Sequence, residues 1–166
     1  MEEKSDFIKK EREEIRGIIH ILLFHTYTVF LFAIIFGLIF DHIFIINLFK
    51  GELFKYIGLL MITLGSIGIY WSQATTKPSK SELNKERDLS FFYRGPYKYT
   101  RNPTNLSLTV MSIGLGLLIN SFFSVLFILA SYCISRFFYI RKQDSILEKR
   151  YGQVFLEYKK KVKNWI

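Results

Sequence analysis

At 166 residues the chain has the length of one domain, yet half of it is hydrophobic while its formal net charge is +9, and the two characters fall in separate blocks. That combination excludes an ordinary soluble globule and describes a small polytopic membrane protein. The basic residues flank apolar runs, so anionic lipid headgroups are the expected partner and nucleic acid is not.

Residues 1–17 mix six acids with five bases. They read as an interfacial helix leading into a membrane span, not as a signal peptide. The first span, 18–40, is long enough as a helix to cross a bilayer with some tilt. Its apolar character continues past Asp41 and His42 to Phe49. The second span, 53–71, carries Gly58 and Gly65 one heptad apart with Gly68 nearby, a spacing that lets helices approach closely in lipid. Residues 73–94 are polar, and Lys77-Pro78-Ser79 marks a loop.

The sequence Gly95-Pro96-Tyr97-Lys98-Tyr99-Thr100-Arg101-Asn102-Pro103-Thr104-Asn105 separates two long apolar blocks. Pro103 suits the first turn of a helix and Asn102 the capping position before it, with Arg101 at the entrance. Such a helix start beside an arginine suits a carboxylate or phosphate, and Tyr97 and Tyr99 offer flat faces to a ring or a cation. A basic-aromatic anchor at the membrane surface is the alternative.

The third span, 102–119, carries Ser107, Ser112, Gly114 and Gly116 for close packing. Asn120-Ser121 leaves only a tight turn before the fourth, 122–140, so these two form an antiparallel hairpin. Cys133, the only cysteine, lies inside that span and reads as a small packing residue. It excludes disulfides and cysteine clusters within one chain. Leu147, Tyr151, Val154, Phe155, Tyr158, Val162 and Trp165 then recur at helical spacing through 143–166, opposite a lysine-rich face, with Gly152 as a point of kinking.

The expected fold is therefore all-α: four transmembrane helices and a C-terminal amphipathic cytoplasmic helix in a single membrane domain. Its parts are an interfacial segment (1–17), a four-helix core (18–140) and a tail helix (141–166). Lys and Arg number five in 1–17, two in the first link, seven in 73–103 and eight in 141–166. The positive-inside rule then puts both termini and the Gly95–Asn105 segment on the cytoplasmic side.

Arg136, near the inner end of the fourth span, reads either as a functional group or as a snorkelling one. Asp144, where the span emerges, reads as a holder of a hydroxyl or amine, as a partner for Arg101, or as an ordinary helix-end charge. His20 and His25 are five residues apart and do not share a helical face, and Asp41-His42 is at the opposite membrane edge, so no metal site is expected.

The 95–105 segment resembles the Gly-x-Tyr-x-x-x-Arg-His-Pro-x-Tyr signature of the isoprenylcysteine carboxyl methyltransferase and phospholipid methyltransferase superfamily. Gln143-Asp144, Leu147, Tyr151-Gly152, Phe155, Tyr158 and Val162 are similar to that family's tail motif. The resemblance covers roughly residues 55–166. Asn102 stands where the family has His, Asn105 where it has Tyr, Gln143-Asp144 where it has a glutamate pair, and Val162-Lys163 where it has Val-Pro.

The resemblance implies an integral membrane methyltransferase that uses S-adenosylmethionine and acts on a lipid-like or isoprenylcysteine-type acceptor reached from the bilayer. It implies that Phe91, Phe92, Tyr97, Arg101, Asn102, Pro103, Asn105 and Gln143 line the cofactor site. Arg101 and Asp144 are the residues expected to carry the chemistry, Arg101 on the cofactor's carboxylate and Asp144 on the acceptor. Two other readings stand beside it: a degenerate member serving as a membrane adaptor, favoured by the missing Tyr and Glu, and an NADPH-dependent membrane reductase.

Overall fold

The computed structural model describes residues 2–44, 46, 48–76 and 93–163. The elements are α1 (Glu2–Phe44), α2 (Glu52–Thr76), a 3-10 turn (Gly95–Lys98), α3 (Pro103–Leu118), α4 (Phe122–Ser135), a π turn (Arg136–Ile140), α5 (Arg141–Tyr151) and α6 (Gln153–Lys161). All described regular structure is helical. In this bundle α2 packs along α3, α3 and α4 form a hairpin, and α1 lies along α4.

Three helical stretches are long and apolar enough to cross a membrane: Leu23–Phe44, Glu52–Thr75 and Phe122–Lys149. Their outward faces carry large apolar side chains, among them Phe24, Phe32 and Phe36 on α1 and Leu53, Leu60 and Leu64 on α2, each more than half exposed. In water such faces would be aggregation sites; in hydrocarbon they are the expected lipid-facing surface. The expected count of four spans is not met by length. Helix α3 has 16 residues, about 24 Å of rise against a hydrocarbon core of about 30 Å.

Small residues set the close contacts. A Cβ built on Gly58 would lie 2.6 Å from the Gly114 carbonyl oxygen, and one on Gly65 would lie 2.7 Å from both Met111 Cβ and the Ser107 carbonyl oxygen. The glycine spacing on α2 therefore marks its seam with α3. Gly65→Val is expected to destabilise the protein by about 1–3 kcal/mol through overpacking. Gly17→Ala, with nothing within 4 Å of the new atom, is expected to leave stability equal or slightly higher. Thermal unfolding of the two variants in detergent checks the contrast.

The hairpin turn is a Schellman motif. Asn120 takes φ +55°, its N–H donates to the Leu117 carbonyl at 3.2 Å, and the Ser121 N–H donates to the Gly116 carbonyl at 2.8 Å. The next helix is capped twice. Ser121 Oγ accepts the Ser124 N–H at 3.2 Å, and Asp41 of α1 takes the Ser121 hydroxyl and the Phe123 N–H at 3.3 Å. A carboxylate at a helix N-terminus is favourable both as acceptor and against the helix dipole. Asp41 thereby ties α1 to the hairpin. Below it the core is formed by Phe30 and Ala33 of α1, Leu108 of α3 and Ile128 of α4.

The tail differs from the single helix expected. The fourth apolar helix does not stop at Ile140 but runs through the π turn into α5. The break comes at Gly152, whose φ of +55° is available to glycine at little cost. Helix α6 then folds back, burying Phe155, Tyr158 and Val162 against Tyr93, Leu147, Tyr151 and Val154. The apolar stripe of the tail thus packs on the protein itself; Trp165 lies outside the described residues.

Candidate functional site

The Gly95–Asn105 segment turns where the sequence places the turn. Gly95 has φ +53°, and a Cβ on it would lie 2.6 Å from Thr75 Oγ1 at the end of α2, so the turn needs glycine for both conformation and space. Pro96 is buried, and its carbonyl accepts the N–H groups of Tyr99 at 3.1 Å and Thr100 at 3.2 Å. The chain then enters α3 with Pro103 at its first position.

Asn102 occupies the capping position, but its side chain makes no capping bond, because φ −131° and ψ +61° depart from the extended geometry a side-chain cap adopts. Its own N–H reaches Thr100 Oγ1 at 3.4 Å. The first N–H groups of α3 therefore receive no Asn102 cap, which leaves the helix start suited to an anionic group.

Arg101 and Asp144 meet. Arg101 Nη1 donates to Asp144 Oδ2 at 2.5 Å, with the side chains only 11% and 13% exposed. This joins the segment before α3 to α5, 43 residues apart in sequence. Among the described residues, Arg101 Nε of this pair and Asn105 Oδ1 on the first turn of α3 are buried without a hydrogen-bond partner. Buried polar atoms are nearly always satisfied, so a donor and an acceptor left open here mark a place for a polar ligand. Gln143 is half-buried next to Asp144. Pro103, Thr104 and Asn105 are buried on the first turn of α3.

Two tyrosines lie near the pair, Tyr158 close enough to feel both Arg101 and Asp144. Burial pushes the Tyr97 hydroxyl above its ordinary range, opposed by a hydrogen bond with Thr104. Tyr158 of α6 donates its hydroxyl to the Tyr97 carbonyl at 2.7 Å. Burial raises Tyr158 strongly, the Arg101 charge lowers it, and Tyr97, Tyr93 and Asp144 raise it further. Both phenols therefore stay neutral through the physiological range. Sequence reasoning placed Tyr158 in the apolar stripe and missed its polar role; its signal was the tyrosine pair Tyr151 and Tyr158, of which only a fold could say which hydroxyl faces inward.

Phe91 and Phe92 lie outside the described residues. Arg136 is half-buried and close enough to Tyr132 to act on it electrostatically. The His25 ring nitrogen Nδ1 lies 2.8 Å from the Ile21 carbonyl oxygen, and among the described residues no three His, Cys, Asp or Glu side chains converge. An apolar groove of about 390 Å³ lies between α1 and α4 and is lined by Val29, Phe32, Ala33, Phe36, Phe40, Phe127, Ala130, Ser131 and Ile134.

Fold and site together define a helical integral membrane protein with a buried, polar, cation-bearing site where the chain leaves its apolar helices. Residues 53–154 match the phospholipid methyltransferase family. The match spans more than half of the chain, and the protein belongs to that family, one of integral membrane methyltransferases. Comparison with curated proteins and with solved structures gives no match. Helix α1, with its Asp41 cap, lies before the matched residues.

Proposed function

We propose that the protein is an S-adenosylmethionine-dependent methyltransferase whose acceptor is a lipid-like molecule entering from the bilayer. The observation that carries the reading is the pair of atoms without a partner among the described residues, Arg101 Nε and Asn105 Oδ1, at the start of α3, which the Asn102 side chain does not cap. The amino-acid end of the cofactor has the matching chemistry, a carboxylate for the Arg101 N–H and helix start and an ammonium for the Asn105 oxygen. Tyr97, Asn102, Pro103 and Gln143 are assigned to the same cofactor site, where Tyr97, held neutral, would offer a ring face to the adenine or to the sulfonium charge.

The cofactor supplies a methyl group on a positive sulfur, transferred by in-line displacement with a good leaving group. The protein's contribution is orientation and exclusion of water. Asp144 holds the Arg101 guanidinium in place, which makes it first a positioning residue. A carboxylate or thiolate acceptor requires no base. An ammonium acceptor must lose a proton first, and Asp144 is the carboxylate at hand.

In this reading all four apolar helices cross the membrane, α3 within a locally thinned bilayer. The lysine and arginine count sets both termini and the site at the cytoplasmic face. Titration calorimetry of the detergent-solubilised protein is expected to show S-adenosylmethionine binding, weakened at least tenfold by Arg101→Ala and several-fold by Asn105→Leu. Label from methyl-labelled cofactor is expected in extracted membrane lipids. No heat at millimolar cofactor contradicts the reading, and binding of NADPH in its place favours a reductase.

A further inference from the structure

The buried face of the long C-terminal membrane helix changes rhythm at one point. On α4 the inward residues are Ser124, Ile128, Ser131 and Ser135, separated by steps of four, three and four. The next is Ile140, buried at the end of the π turn, five residues on. Asp144, on Arg101, and Leu147, in the tail core, then follow at steps of four and three.

A regular α-helix advances about 100° per residue, so the nine residues from Ser135 to Asp144 would carry Asp144 to about 180° from the Ser135 direction. The same geometry would turn Tyr139, Lys142 and Ile146 inward. Lys142 is in fact exposed, and in that position it would set a second cation towards Arg101. A π turn accommodates one extra residue, because its hydrogen bonds run to i+5 in place of i+4. That takes back about 100° of rotation and leaves Asp144 about 80° from the inward line, on the flank where Arg101 stands.

We propose that the π turn at Arg136–Ile140 is the phase-setting element of the site. It absorbs one surplus residue, so that a helix whose upper part is oriented by packing on α1 presents Gln143 and Asp144 to the α3 entrance. Within the turn, Phe138, 70% exposed beside the 55% exposed Phe137, faces away from the bundle and acts by its place in the count alone.

The experiment alters helix length and reads two quantities. One is cross-linking by a short bis-maleimide between Arg101→Cys and Asp144→Cys in a Cys133→Ser background. The other is S-adenosylmethionine affinity in chains that keep Arg101 and Asp144. Deleting Phe138 relaxes the π turn to α-helix with both flanks in register, so cross-linking persists and affinity stays within about twofold. Phe138→Ala, which keeps the length, behaves alike. An alanine inserted between Phe137 and Phe138 turns Asp144 away, abolishing the cross-link and lowering affinity at least tenfold. The same insertion combined with deletion of Lys142 restores both, which also answers whether the insertion merely prevents folding.

The proposal is overturned if deletion of Phe138 is as damaging as the insertion, if the insertion leaves the cross-link intact, or if the length-restored chain folds without recovering it. The affinity arm rests on the cofactor reading given above. The cross-link does not, so a wild-type protein that binds no S-adenosylmethionine would sink that reading and still test this one.

Discussion

Asp144→Leu is expected to destabilise the protein by about 3–5 kcal/mol, and Arg101→Met added to it is expected to recover most of that loss. The ion pair is nearly out of solvent, at 11% and 13% exposure. Removing the carboxylate leaves a guanidinium with its Nε already unpartnered in a place where water cannot replace the lost partner. An uncompensated buried charge of this kind costs several kcal/mol, whereas replacing both members of a pair with apolar groups is often neutral. Denaturant unfolding of the two variants in detergent separates the cases. Cofactor binding is expected to be lost in both, because each lacks a fixed cation at the entrance of α3. A single variant as stable as the wild type, or a double as unstable as the single, contradicts the account. So does a double variant that still binds S-adenosylmethionine at wild-type affinity, since that would leave the pair with a purely structural role.

What the sequence discloses follows from what is local. The close seam of α2 on α3 is legible because Gly58 and Gly65 share a helical face. The start of α3 is legible because proline tolerates few other helical positions, and the hairpin because two residues permit no other path. The apolar stripe of the tail is legible as periodicity, which leaves open a membrane surface or the protein itself as its destination; the choice of Tyr93 and Leu147 depends on the fold-back at Gly152. Less local features escape. Asp41 and the helix it caps are 82 residues apart, and nothing near Asp41 distinguishes a cap from a membrane-edge charge. The π turn has no propensity signature; it shows only as a change of step in a buried stripe, and the stripe is known only after folding. The span count turns on a margin of a few residues, since the apolar run from Asn102 to Ile119 loses both ends to turns and leaves three helices that meet the length for crossing. At the site, Arg101 and Asp144 were legible as candidates, and their mutual distance was not.

Phe155→Ala is expected to weaken the site from a position that touches no ligand. Phe155 is 1% exposed and shares its cluster with Tyr158 and Val162, so truncation removes the main apolar anchor of α6. Large-to-small changes at such positions cost about 3–5 kcal/mol. For a short helix that follows the Gly152 break and is otherwise tied by the Tyr158 hydroxyl and an exposed Lys159–Glu148 pair, that is enough to populate the undocked state. Undocking withdraws the Tyr158 hydroxyl from the Tyr97 carbonyl, and with it one hydrogen bond that fixes the turn before Arg101. Two readings follow: faster tryptic cleavage at Lys159–Lys161, and lower S-adenosylmethionine affinity. Tyr158→Phe tests the chain of cause between them. It keeps the ring edge-on to Tyr93 at 5.4 Å and deletes only the donor, at a cost of about 1–3 kcal/mol for the stranded carbonyl. That variant is expected to lose affinity without gaining cleavage. If Phe155→Ala speeds cleavage and leaves affinity untouched, α6 is a cover on the site's outer wall, and Tyr97 is held without it by Thr104 and by the seating of the Gly95 turn on the α2 end. If neither quantity moves, the tail core does not hold α6 in place, and the hydroxyl bond follows from docking set elsewhere.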